Sequence, residues 1–128
     1  MAPPSRVTIV SGGTYAQREA AVAHAISLHP EAEAKAVILE GLPDDNSMLL
    51  PDPSLRVQRI APGCLCCSGN LVMRVTLNRL LRPAPVRLYL SLSSAEHLEK
   101  ILQFLQQAPY DLLLHVEQNI QMSTEKTQ

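Results

Sequence analysis

Gly63-Cys64-Leu65-Cys66-Cys67 gathers all three cysteines of the chain within four positions, after an extended apolar segment and before a helical one. Thiolates are soft ligands for zinc, copper(I) and other soft divalent ions, and three on one short loop can grip an ion without long-range folding. Adjacent side chains such as Cys66 and Cys67 diverge, so two thiolates completed by Glu40, a histidine or water form the safer ligand set. A lone cysteine would more often be a packed core residue. Three in four positions move the reading to metal binding or thiol reactivity, with zinc the leading ion. For Glu40 alone, the default expectation is a solvated loop acid. Of the four histidines, His24 and His29 fall toward the far end of the first helix and His115 falls inside the last strand, where burial is expected. Only His97, opening a helix after the fourth strand, has a positional argument as a further ligand.

A second set of residues lies at Gly12-Gly13-Thr14, between a strand and a helix. The simplest reading is a turn and a helix entry, and the amides of a helix N-terminus are also a place for an anion. Arg18, one turn into that helix, reads either as the cation of such a site or as a solvated surface charge.

The elements that must position both sets alternate. Arg6 to Val10 reads as a strand, followed by an alanine-rich helix from about Ala16 to Leu28. Ala36 to Glu40 is a second strand, trailed by a polar loop from Gly41 to Ser54 rich in proline and aspartate, the segment expected to be most mobile. Leu55 to Ile60 is a third strand, Asn70 to Leu81 a helix stopped by Arg82-Pro83, and Val86 to Leu92 a fourth strand. Ser93 and Glu96 have capping-box spacing ahead of the apolar face Leu98, Ile101, Leu102 and Leu105. Asp111 to Val116 is the candidate fifth strand, and the polar run 117–128 is expected to fray. The pattern predicts one α/β domain over 1–116 with a flexible tail over 117–128, its mostly parallel sheet of about five strands flanked by helices. In such sheets ligands gather beyond the carboxyl ends of the strands. Gly12-Gly13-Thr14, Glu40 and Cys64 to Cys67 all follow strands, and so are expected along one rim.

A strand leading into a turn and helix, a strand ending in glutamate, and Gly-Cys-x-Cys-Cys ahead of a helix together resemble the CobW family of P-loop GTPases and metallochaperones. The resemblance spans roughly Arg6 to Leu105 and implies a reduced P-loop NTPase-like three-layer sandwich. It implies metal binding by Cys64, Cys66, Cys67 and Glu40, and nucleotide contacts from Gly12, Gly13, Thr14 and Arg18. It also implies a minimal or truncated relative. The phosphate-loop pattern G-x-x-x-x-G-K-[ST] supplies backbone amides, a lysine and a magnesium-binding hydroxyl. Here Gln17 stands for its second glycine, Arg18 for the lysine and Glu19 for the hydroxyl, a carboxylate that would face phosphate oxygens. Ser91 and Ser94 replace the glutamate and glycine of the family's fourth-strand motif, and no Asn-Lys-x-Asp stretch occurs. These departures argue against tight GTP and magnesium binding and against hydrolysis.

Composition narrows the rest. Net charge is -1 and aromatics make up 3% of the 128 residues, which supports neither a phosphate-binding surface nor a base-stacking platform, so nucleic acid is not an expected partner. No apolar run reaches the roughly 18 residues of a membrane helix. An odd cysteine count with two adjacent thiols argues against a disulfide framework and for a reducing compartment, the cytoplasm. Three function classes follow: a non-hydrolysing metal-binding or metallochaperone-like domain, a residual GTP-binding protein, and a pseudo-GTPase subunit serving a partner protein. A homodimer sharing one ion across a two-fold axis is compatible with the first.

Overall fold

The computed structural model describes residues 3–30, 32–41, 49–60, 71–93 and 95–122, with the backbone alone at 95–97. Its elements are β1 (Ser5–Gly12), α1 (Tyr15–Ser27), β2 (Lys35–Glu40), β3 (Leu55–Ile60), α2 (Leu71–Leu80), β4 (Arg87–Leu92), α3 (Ala95–Leu105), α4 (Tyr110–Leu113) and β5 (Leu114–Met122). The strands form one sheet in the order β3-β2-β4-β1-β5, and every pairing is parallel.

This order decides where the helices go. The β1 to β2 connection steps over β4 in one direction, while β3 to β4 and β4 to β5 step back in the other. Right-handed crossovers therefore put α1 on one face and α2 and α3 on the opposite face. The core divides accordingly. Val22 and Ala25 of α1 pack with Val10, Val37, Leu39 and Tyr89. Met73, Leu77 and Leu80 of α2 and Leu98, Ile101, Phe104 and Leu105 of α3 pack with Val7, Ile9, Ile38, Leu88 and Leu90. The interior strands β2 and β4 are buried along nearly their whole length, which is why they read as unbroken apolar runs rather than alternating ones.

The chain's end differs from the expectation. Residues 110–113 form a short helix, and the fifth strand starts at Leu114 and runs to Met122, through residues whose polarity suggested fraying. β5 is an edge strand, so its stability comes from backbone pairing with β1 rather than from two buried faces. Ile120 and Met122 alternate onto the α1 face. A register shift between Val7 and Thr8 leaves Glu117 as the extra residue of a bulge, and its carboxylate reaches Arg6 at 3.5 Å and Arg87 at 3.3 Å. Bulges re-aim side chains in this way. His115 is exposed on this edge rather than buried. The expected mobile loop lies outside the described residues from 42 to 48.

Tyr89, buried beneath the α1 face, has a hydroxyl with no hydrogen-bond partner among the described residues. Burial pushes its ionisation up to about 12, against about 10 in an unfolded chain. Between these values the unfolded chain has released a proton that the folded chain keeps, so alkali favours unfolding there. Stability is expected to fall as pH rises from about 10 to about 12. Tyr89→Phe should flatten that fall while changing stability at neutral pH by no more than about 1 kcal/mol. Urea titrations across pH check this, and an unchanged alkaline fall in the variant would contradict it.

Candidate functional site

The carboxyl ends of the strands line up. Val10 pairs with Ser91, and Ser91 with Leu39. Glu40 pairs with Ile60, whose carbonyl accepts from the Gly41 amide at 3.0 Å. β1 and β4 are neighbours whose following helices go to opposite faces, so a switch point opens between their ends. The expected common rim is therefore present for Gly12-Gly13-Thr14, for Glu40 and for the end of β3. Cys64, Cys66, Cys67 and Ser94 lie outside the described residues, as does the side chain of His97.

The turn after β1 is closed on itself. Gly12 and Gly13 have φ of 81° and 70°, a left-handed backbone that side chains disfavour. A Cβ on Gly12 would also strike the Met122 carbonyl of β5. Thr14 caps α1: its hydroxyl accepts from the Gln17 amide at 3.1 Å, while Gln17 Oε1 accepts from the Thr14 amide at 2.8 Å. This reciprocal capping box was not among the expectations from sequence, although Thr-x-x-Gln spacing is its signal. It places Gln17 Oε1 only 2.7 Å from where a Gly13 Cβ would stand. Two amides that a phosphate could have used are thus committed within the chain.

Arg18 is the main departure from expectation. It is 3% exposed, not a solvated charge. Nε donates to Ser91 Oγ at 2.9 Å, Nη1 to the carbonyls of Gly13 at 3.0 Å and Gly12 at 3.3 Å, and Nη2 to the carbonyl of Glu40 at 2.8 Å. One planar fork therefore ties the ends of β1, β2 and β4, a task for which its fixed donor geometry suits it. Burial lowers its pKa from the ordinary value, opposed by the Glu40 carboxylate and then by Tyr15. The Tyr15 ring lies 6.0 Å from Arg18 Cζ and covers Gly41, whose φ of 140° and lack of a side chain let the chain leave β2 beneath it. Neither Tyr15 nor Gly41 stood out in the sequence, although a glycine directly after a strand is a turn signal.

Glu40 is fully buried as the last residue of β2 rather than solvated in a loop. Its Oε1 accepts from the Ser93 amide at 2.8 Å and the Ser93 hydroxyl at 3.0 Å. Both donors meet the same oxygen and fix the carboxylate's orientation at the rim, as outer partners do for metal ligands. As a donor it suits zinc in combination with thiolates. Among the described residues no group of three or more histidine, cysteine, aspartate or glutamate side chains converges.

Glu19 does not face the turn. Its Oε2 accepts from the Leu49 amide at 2.8 Å and pairs with Arg59 of β3 at 3.3 Å, fastening α1 to the chain returning into β3. Glu19→Gln keeps an acceptor for Leu49 and removes the charge, so it should lower stability by about 1 kcal/mol. Urea unfolding measures this, and no change would contradict the pairing. His24 is exposed and His29 half-exposed at the opposite edge of the sheet, as their sequence positions suggested. His29 there borders an open cleft with Lys35 and Asp52. No helix among the described residues is long and apolar enough to cross a membrane.

In this structure the Thr14 and Gln17 amides are bonded within the turn and the Arg18 guanidinium is bonded to the strand ends. At the rim, Glu40 is the one described residue of the expected metal-binding set. No protein-family model matches the chain, and no solved structure matches it. Over 110 residues, 84% of its length, the chain is 28% identical to the zinc chaperone YeiR of Escherichia coli (strain K12), and it spans about a third of that protein's length, 34%. The chain is thus similar, over most of its own length, to part of a zinc chaperone.

Proposed function

We propose that this chain is a CobW-like metal-handling domain that binds zinc through its cysteine loop and Glu40 and does not hydrolyse nucleotide. The observation that carries the reading is the position of Glu40, a buried carboxylate at the strand end paired with Ile60. Four residues on from Ile60 comes Cys64, a reach of at most about 14 Å. Glu40, Ile60 and α2 share the sheet face opposite α1: Ile60 packs in the α2 and α3 core, and Glu40 continues the alternation of Ala36 and Ile38, which pack there too. β3 thus ends beside Glu40, and α2, which follows the cysteines in sequence, packs on the face where the carboxylate stands. The likeness to a zinc chaperone supports zinc as the ion, and the thiolate and carboxylate donors agree with that choice. Zinc here is cargo to be held and passed on, with a client protein as the second partner.

The test is zinc titration of the reduced chain against a chromophoric chelator. About one zinc per chain is expected, with loss of chelator-accessible thiols on loading. A chain that fails to compete with a micromolar chelator would refute the proposal.

A further inference from the structure

The turn after β1 raises a question that the metal reading leaves open: what sets the position of Glu40? Three observations converge on Arg18. Its Nη2 holds the Glu40 carbonyl at 2.8 Å, so the residue proposed to meet the metal is anchored through its own backbone. The rest of the fork is spent on Gly12, Gly13 and Ser91, which bolts that anchor to β1 and β4. The Thr14 and Gln17 amides are occupied by their mutual capping bonds, and Gln17 Oε1 sits against Gly13. The space where a phosphate would meet the backbone is thus filled from within, on the side next to Glu40.

We propose that Arg18 is a positioning residue for the metal site, a built-in occupant of the turn that fixes Glu40 through its carbonyl in the place of any bound phosphate. The proposal rests on the metal reading above and adds a specific dependence: metal affinity should follow the guanidinium and be indifferent to nucleotide. Lysine at this position would keep the charge but offer one nitrogen, which cannot span Ser91, two glycine carbonyls and Glu40 at once.

The experiment measures zinc affinity by chelator competition in the unaltered chain, Arg18→Ala and Arg18→Lys, each with and without GTP and magnesium, and with and without millimolar methylguanidinium. In the unaltered chain, affinity is expected to stay within about twofold when GTP is added, and in both variants to fall about tenfold, the scale of losing a residue that orients a ligand. Methylguanidinium should recover much of the loss in Arg18→Ala, where it can fill the vacated space, and none in Arg18→Lys. Urea unfolding of Arg18→Ala with and without methylguanidinium runs alongside, since the cation would also restore stability, and zinc affinity that only tracks stability would overturn the inference. If Arg18→Ala does not fold, Arg18→Lys and the GTP comparison on the unaltered chain decide the matter. Variants that bind zinc as tightly as the unaltered chain, or a GTP-dependent rise in its affinity of tenfold or more, would overturn this inference and leave the metal reading standing. A chain that binds no zinc in any condition would overturn both.

Discussion

Arg18→Ala is expected to destabilise the domain by about 2–4 kcal/mol, the largest loss anticipated for any single polar substitution in the chain. The guanidinium donates to one hydroxyl and three carbonyls. Deleting it takes a charged donor from the Glu40 carbonyl and from Ser91 Oγ, both on residues that are 0% exposed. Each buried acceptor left unpaired costs about 1–3 kcal/mol, and hydrogen bonds to a charged group are worth more than neutral ones. The relief of no longer burying a cation offsets part of this, which is why the loss is set below the sum of four bonds. Arg18→Lys should fall between, since the ammonium is retained but its donors cannot match the fork. Urea unfolding of the three proteins measures the order, and a change of less than about 1 kcal/mol in Arg18→Ala would contradict the account of the rim.

The second large effect concerns the metal itself. Cys66→Ser is expected to weaken zinc binding at least tenfold, about 1.4 kcal/mol or more. A serine hydroxyl does not ionise at neutral pH and is a poor match for an ion that favours thiolate. Adjacent side chains tend to diverge, so Cys66→Ser and Cys67→Ser should differ, with Cys66→Ser losing the more affinity. Ser93→Ala, which removes the hydroxyl from Glu40 but leaves the Ser93 amide in place, should cost less than Cys66→Ser. Chelator competition on the serine variants checks this, and equal affinity in Cys66→Ser would remove it from the ligand set.

Much of the architecture was legible because the elements carry distinct patterns. Buried strands such as Ala36 to Glu40 read as apolar runs, and the leucine face of α3 repeats at helical spacing, so a parallel sheet with helices on both faces followed directly. Edge strand β5 was harder: its residues Glu117, Gln118 and Asn119 face solvent, and pairing with β1 leaves no mark on composition. The rim residues were legible as types and positions, but not in their roles. A charged residue one turn into a helix reads as solvent-facing, because the partners that bury Arg18 lie 22 and 73 residues away. Glu40 read as a loop acid for the same reason, since Ser93, its hydrogen-bond donor, belongs to a strand end 53 positions later. Local spacing could announce the Thr14 and Gln17 box, whose members are three apart, but not contacts that only the sheet order creates.

The account stands on sulfur ligation of zinc at this rim, and X-ray absorption at the zinc edge addresses it most directly. Loaded with one equivalent, the reduced chain should show a sulfur shell at about 2.3 Å from at least two thiolates, completed by lighter donors. A first shell of nitrogen and oxygen alone, at about 2.0–2.2 Å, would contradict it.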